Sequence, residues 1–313
     1  ATALVAGNFH ACASDAGQLK CWGNNNDGEL GITNDPALLG GARTSPVAVV
    51  GLKSTTAVTG SNDHTCVIDA GQAWCWGSNA YGALGDGGSA SRGTPGLVAL
   101  PASAPVVAGS RSLATGGNHT CFVDRGRVKC WGSNSSGQLG DGTTKSRNTP
   151  ELVEGISDAT SVATGNLHSC AIDGGEVKCW GANSSGQLGD GTTTSRNTPK
   201  AATVFNAPVA TGLVAGANHT CAIYDQKVKC WGSNASGQLA RDRFISTYST
   251  PVDISGVSSA TIVAAGQAHS CAIDDGQVKC WGTNSAGQLG DGTLSARITA
   301  TPATGVTGAT ELV

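Results

Sequence analysis

Apolar residues recur at every second position in short runs along the chain, and glycine-rich segments separate the runs. In HSCAIDGGEVKCWG (168–181), Cys170 and Ile172 fall on one face of a first extended segment, and Val177 and Cys179 on one face of a second. Period-two alternation is the pattern of a β-strand whose two faces differ. Gly174 and Gly175 between the segments predict a two-residue hairpin turn. The same place elsewhere holds Ala16-Gly17, Ala70-Gly71, Arg125-Gly126, Asp225-Gln226 and Asp275-Gly276. Glycine thus fills the second slot, which needs a positive φ, in five of six copies.

With that loop, Cys170 faces Cys179. Counting outward from Asp173/Glu176 makes the two cysteines a non-hydrogen-bonded pair, with α-carbons about 4.5 Å apart. Disulfides accept that spacing. Each unit therefore predicts its own cross-strand disulfide, stabilising by roughly 2–3 kcal/mol in the chain-entropy model. His168 falls opposite Gly181 on the cysteine face, while Ala171, Lys178 and Trp180 occupy the other. Large apolar groups on both faces predict a hairpin packed between neighbouring sheets.

The arrangement returns six times, at Cys12/Cys21, Cys66/Cys75, Cys121/Cys130, Cys170/Cys179, Cys221/Cys230 and Cys271/Cys280, which are all twelve cysteines. Each histidine (His10, His64, His119, His168, His219, His269) stands two residues before the first cysteine of a pair. ATSVATG (159–165) upstream reads as a further strand. The proline-led TPELV (149–153) and TPVDI (250–254) read as edge strands, proline suiting a strand's first residue. Four strands in about fifty residues make a β-propeller blade. We expect an all-β, six-bladed propeller forming one domain over residues 1–313, with units starting near 1, 55, 110, 159, 210 and 260. Seven blades are the less favoured count, and the ring is expected to close where the two termini meet. ATALV (1–5) and ATELV (309–313) match the same strand of the unit, which predicts a cut or frayed end, or self-association by strand addition.

Composition narrows the function classes. A net charge of −3 and a pI near 6.1 leave no basic footprint for nucleic acid. No run of apolar residues approaches membrane-spanning length. The chain starts at Ala1 without any methionine, as removal of a secretory signal would leave it. Strictly paired cysteines point to an oxidising compartment, so a secreted, cell-surface or periplasmic location is expected.

GGNHTCFVDRGRVKCWGSNSSGQLGDGT (116–143), with its copies, resembles the repeat of the regulator of chromosome condensation family over essentially the whole chain. The resemblance implies a propeller with a central channel. It also implies a choice of functions, since such relatives include a nucleotide-exchange factor on chromatin, a plant ultraviolet photoreceptor and secreted β-lactamase inhibitors. Two features depart from the family pattern. Known members usually have seven blades, and their hairpin loops run one residue longer without the cysteine pair. The photoreceptor's GWRHT motif is not matched either, since Phe9, Asp63, Asn118, Leu167, Asn218 and Ala268 precede the histidines here. Secreted binders are the nearest in kind.

Candidate chemistry gives way to structure at most positions. His168 with Cys170 and Cys179 has ligand types that zinc accepts, but the pairing geometry favours a disulfide. Asp86, Asp141, Asp190 and Asp291 of the GDGT turns (GDGG in unit 2) suit backbone capping better than calcium, lacking a dense acidic loop. Arg43, Arg92, Arg147 and Arg196 are expected to bridge to a carboxylate or carbonyl on the next blade rather than hold an anion. Asn-X-Ser/Thr at Asn118, Asn134, Asn183, Asn218 and Asn234 falls within the repeat signature itself. No catalytic motif stands out, so no catalytic residue, cofactor or metal is assigned.

Positions where the copies disagree are the better candidates for contacts. Trp74 replaces the lysine of the other five units, and Tyr81 a small or acidic residue. ARDRFISTY (240–248) displaces GDGTTTSR and brings Arg241, Arg243, Phe244 and Tyr248 together. Aromatic residues and arginine dominate binding hot spots. Units 1 and 2 also carry insertions at 32–42 and 102–110. The expected function is a non-enzymatic extracellular scaffold for a protein or glycan partner, without nucleic acid or membrane insertion. A self-assembling surface subunit, or a hydrolase or lyase with a site in the channel, are the alternatives.

Overall fold

The computed structural model describes residues 3–15, 17–33, 40–100, 112–204 and 209–312. Six four-stranded antiparallel sheets follow one another, each a simple meander from innermost to outermost strand. Blade 4 is representative, with strands Ala159–Thr164, His168–Asp173, Glu176–Gly181 and Arg196–Ala201. The innermost strands of the other blades are Ala3–Ala6, Thr55–Gly60, Leu113–Thr115, Ala210–Ala215 and Ala260–Ala265. Most of the insertions in units 1 and 2 lie outside the described residues, at 34–39 and 102–110.

The hairpin register is the one the loop chemistry predicts: Cys170 faces Cys179 and His168 faces Gly181. All six expected disulfides form: Cys12–Cys21, Cys66–Cys75, Cys121–Cys130, Cys170–Cys179, Cys221–Cys230 and Cys271–Cys280. Their α-carbons lie 4.0 to 4.2 Å apart. That is inside the spacing of about 4.5 Å expected for an unlinked non-hydrogen-bonded pair. Gly174 and Gly175 have φ of 57° and 84°, and in blade 5 Asp225 and Gln226 take the same left-handed turn without glycine. The outer strand departs from expectation. It begins at Arg196, with Pro199 in its interior rather than at its start. The register shifts between Cys179 and Gly181, so residues 197–199 have no direct partners and the missing N–H of Pro199 breaks no ladder bond.

Blades join through their side chains. The core of blade 3 (Cys121, Val123, Val128, Cys130, Leu139) is completed by Ala159, Val162, Ala171 and Trp180 of blade 4. Trp76, Trp131, Trp180, Trp231 and Trp281 are fully buried in this way. Each transfers roughly 5 kcal/mol of apolar surface out of water, as an upper bound.

A polar lock accompanies every such tryptophan. At the 3–4 seam the Gln138 carbonyl accepts Trp180 Nε1–H at 2.9 Å and Ser169 Oγ–H at 2.8 Å. Ser169 Oγ has thereby spent its one proton, so His119 Nε2–H donates to it, at 2.9 Å. The same triple contact joins blades 1–2 through His10 and Thr65, 2–3 through His64 and Thr120, 4–5 through His168 and Thr220, and 5–6 through His219 and Ser270. These histidines are neutral. Burial lowers His64, His119, His168 and His219 to about 3 and His10 to about 4.

Candidate interaction surface

Every blade has a loop asparagine whose Oδ1 accepts a leucine amide, and among the described residues blades 2 to 6 also use its Nδ2 to hold the loop. Asn134 accepts the Leu139 amide on Oδ1, and its Nδ2 donates to Asp141 Oδ1 and to the Thr143 and Lys145 carbonyls. Asp141 in turn accepts the Thr143 amide at 3.0 Å and pairs with Arg147 at 2.9 Å. The GDGT aspartates are thus turn caps, as their sequence context predicts. The arginines, however, pair with the loop aspartate of their own blade rather than reaching to the next: Arg92 with Asp86, Arg147 with Asp141, Arg196 with Asp190 and Arg297 with Asp291. The aspartate lies only six residues upstream, within reach of the guanidinium. Arg43, whose unit lacks GDGT, donates to the Gly41 carbonyl.

Blade 5 keeps the asparagine and changes what it holds. Asn234 still accepts the Leu239 amide and donates to the carbonyls of Asp242 and Ile245. Asp242 accepts the Phe244 amide at 3.0 Å, closing a local turn. Phe244 is consequently displayed with 95% of its surface exposed. Arg241 lies 5.8 Å from the Tyr248 ring centroid and donates to the Asp253 carbonyl at 3.1 Å. Tyr248 packs against the blade 5 core. Arg241 and Tyr248 therefore buttress the loop, and Arg243 and Phe244 are what it presents.

Neighbouring blade 6 extends this face. Asp242, Arg243 and Phe244 line a groove of about 420 Å³ with Ala296 and Ile298. Ile245, Leu294 and Ile298 are exposed apolar residues. Leu294 and Ile298 were legible as copy disagreements, since units 3 and 4 carry threonine and asparagine there. Those asparagines, Asn148 and Asn197, tie to the preceding blade, which Ile298 cannot do.

Trp74 and Tyr81 lie on blade 2, three blades from blade 5, so the six expected contact residues do not share a surface. Trp74 stands between Val67 and Leu97 in its sheet and packs, half-buried, on the blade 1 core. Tyr81 is 63% exposed in a left-handed conformation at φ 62°. The cysteines take no part in this rim. Cys21, Cys75, Cys130, Cys179, Cys230 and Cys280 sit on the third strand of each blade, buried in the blade cores. Bonded to Cys12, Cys66, Cys121, Cys170, Cys221 and Cys271, they hold each hairpin together and offer no free thiolate to a metal or partner.

Two further sites have distinct chemistry. The central channel, about 600 Å³, is lined by small and amide residues such as Gly7, Asn8, Gly116, Asn166 and Gln267. Among its described lining residues there is no carboxylate, the group that glycoside hydrolysis would require as a pair. The second site, at the 1–2 seam, brings carboxylate oxygens of Asp27, Glu29 and Asp63 within 4.8 Å of one another. Burial, then the charges of Asp27 and Asp63, push the Glu29 carboxyl upward. Sequence reasoning missed this cluster, although Glu29 stands where four other units have glutamine.

Comparison with known proteins agrees with this architecture. Human E3 ubiquitin-protein ligase HERC2 is 31% identical over 162 residues, 49% of this chain and 3% of the ligase. The chain thus spans a small part of that relative's length. Human WBSCR16 superposes with a TM-score of 0.83 at 20% identity, covering 96% of this chain and 81% of that one. Prp20p from Saccharomyces cerevisiae, studied for its binding to Gsp1p and histones, gives 0.80 at 21% identity, covering 96% and 76%. The family model "Regulator of chromosome condensation (RCC1) repeat" matches residues 16–68, 70–123, 125–172, 174–223 and 227–273. A second model of that repeat matches residues 1–29, 111–138, 159–187, 211–238 and 260–288, and together the two span nearly all six blades. The chain belongs to the regulator of chromosome condensation repeat family.

Proposed function

We propose that this propeller is a non-enzymatic protein-binding scaffold of an oxidising, extracellular or periplasmic compartment. Its contact face is the rim formed by Arg243, Phe244, Ile245, Ala296 and Ile298. The observation that carries this is Phe244, held outward by a turn ordered through Asn234 and Asp242, where units 2, 3, 4 and 6 place an aspartate-capped turn. Ordering an apolar ring in water costs stability, and a partner that buries it recovers that cost. A rigid loop also loses little entropy on binding. Prp20p's named partners are proteins, which favours a protein partner over a glycan. Six disulfides, one per blade, fit a location where thiols oxidise.

The test compares partner retrieval by the wild type and by an Arg243→Ala/Phe244→Ala/Ile298→Ala variant, with Tyr81→Ala as a surface control. Loss of affinity by roughly thirtyfold or more in the triple variant, corresponding to about 2 kcal/mol, is expected. Unchanged retrieval by the triple variant, with an unchanged melting temperature, removes this face from consideration. Intact mass under non-reducing conditions twelve hydrogens below the thiol form checks the redox part.

A further inference from the structure

The structure sorts the five Asn-X-Ser/Thr sequences of the chain into two kinds. Asn118 and Asn218 stand in the turns just before strands His119–Asp124 and His219–Tyr224. Asn218 is exposed and Asn118 half-buried, and neither side chain has a hydrogen-bond partner among the described residues. Their threonines, Thr120 and Thr220, are seam-lock hydroxyls that donate to the Ala83 and Gln187 carbonyls at 3.0 and 2.9 Å. These two sequences are by-products of the lock, and a sugar on Asn218 would stand in solvent.

Asn134, Asn183 and Asn234 are of the other kind: they are the fully buried loop asparagines of blades 3, 4 and 5. Asn183 Nδ2 donates to Asp190 Oδ1 at 3.2 Å and to the Thr192 and Thr194 carbonyls at 3.1 Å. Asn134 makes the same set, and Asn234 Nδ2 reaches the Asp242 and Ile245 carbonyls at 2.9 and 3.1 Å. An N-linked sugar is attached through this nitrogen and replaces one of its two hydrogens. The modified nitrogen would have to leave a closed site, stripping the loop carbonyls and, through Oδ1, a leucine amide of their partner. Buried polar groups left unpaired are costly. The closed loop and a sugar on that atom therefore exclude each other.

The serines that complete these three sequences have no such duty. Ser136, Ser185 and Ser236 each donate a backbone N–H to the glutamine two residues on, at 2.9, 2.9 and 2.8 Å. Their hydroxyls have no partner among the described residues. Unit 6 carries Ala286 at this place, and its amide donates to Gln288 Oε1 at 2.9 Å in the same way. Alanine would thus remove each acceptor sequence and leave the loop intact.

In the lumen of a eukaryotic secretory route, sugar is transferred to Asn-X-Ser/Thr while the chain is still unfolded. Nothing then protects Asn134, Asn183 or Asn234, which become buried only when their loops close. We infer that this protein matures in an oxidising compartment without such transfer, the periplasm or exterior of a bacterial cell rather than a eukaryotic secretory lumen. The inference rests on the oxidising compartment proposed above and narrows it. Six disulfides require an oxidant, and three loop asparagines require an unmodified Nδ2.

The experiment exports the chain by two routes, into the periplasm of a bacterium and from cultured mammalian cells behind a secretion leader. Wild type is compared with a Ser136→Ala/Ser185→Ala/Ser236→Ala variant. From the periplasm the two should be recovered alike, with equal melting temperatures. In mammalian cells the wild type should be retained with sugar on Asn134, Asn183 or Asn234, its secreted yield falling roughly tenfold below the variant's. The variant should be secreted, with any sugar confined to Asn118 and Asn218. Occupancy is mapped by mass spectrometry after enzymatic release of the sugar, which turns each modified asparagine into aspartate. Folded wild type secreted at the variant's yield overturns the inference, whether the three sites are occupied or skipped. So does equal retention of the variant, because the loop sugars are then not the cause. If the variant fails to fold in the periplasm, wild type in mammalian cells is treated instead with an inhibitor of sugar transfer, and continued retention overturns the inference. Intact mass keeps this result apart from the reading beneath it. Periplasmic protein that folds with all twelve thiols free unseats the oxidising compartment, whatever the mammalian yields.

Discussion

Glu29 shows how one atom decides the behaviour of a copied position. Gln138 accepts the Ser136 amide on Oε1 and donates from Nε2 to Ser133, leaving no charge in a closed site. Glu29 accepts the Asp27 amide and the Asn24 side chain, so its bonds are satisfied. Its charge is nevertheless buried beside two other carboxylates, and its folded pKa is raised above the ordinary value. A raised carboxyl pKa means that the folded state holds its proton more tightly than the unfolded one, so the residue destabilises once pH exceeds that range. Glu29→Gln should therefore raise the melting temperature at pH 7, and the gain should shrink toward zero as pH falls to about 4. Thermal unfolding at the two pH values measures this; an equal gain at both contradicts the electrostatic cause. Glu29 was visible in the sequence as the odd copy. The approach of Asp63 from the next blade was not, because nothing in one unit records what the neighbouring unit brings.

Within the hairpin element, local sequence carried almost all the information. Loop length fixes which residues face each other, and a two-residue turn must twist with its strands. The disulfide pairing, the His168–Gly181 pair and the left-handed loop all follow from that short-range geometry. The exception supplies a test. Gln226 takes φ 61° where five units have glycine, and a side chain in that region costs about 1–2 kcal/mol. Gln226→Gly should stabilise by about 1 kcal/mol in urea unfolding; a loss of stability would mean that the side chain contributes contacts outweighing its strain. The outer strand was less legible. Its start at Arg196 and the unpaired residues around Pro199 depend on a register shift set by Trp180 and Gly181, not on its own residues.

At the scale of the ring, the locks make stability sensitive to pH. Each buried histidine has a folded pKa below the unfolded value of about 6.5. The unfolded chain thus binds more protons, and stability falls as pH drops from about 6.5 toward 3, by up to about 1.4 kcal/mol per pH unit for each histidine. Asp141, Asp173, Asp190, Asp274 and Asp291 are held below 3.8, where hydrogen bonds and the adjacent lysines or arginines outweigh the cost of burial, so their contribution is lost only below about pH 4. Between pH 6.5 and 4 the histidines should dominate, giving a melting temperature that drops steadily; a flat profile from 7 to 5 would contradict neutral buried imidazoles. By itself the sequence determined the blade, the number of copies and the six disulfides, because strand alternation and turn length act over fewer than fifteen residues. Only the tertiary structure decided which carbonyl each tryptophan reaches, and that Trp74 packs inward while Phe244 stands out. Those outcomes rest on contacts between residues about fifty positions apart, where burial and hydrogen bonding are settled by the neighbour and not by the segment itself.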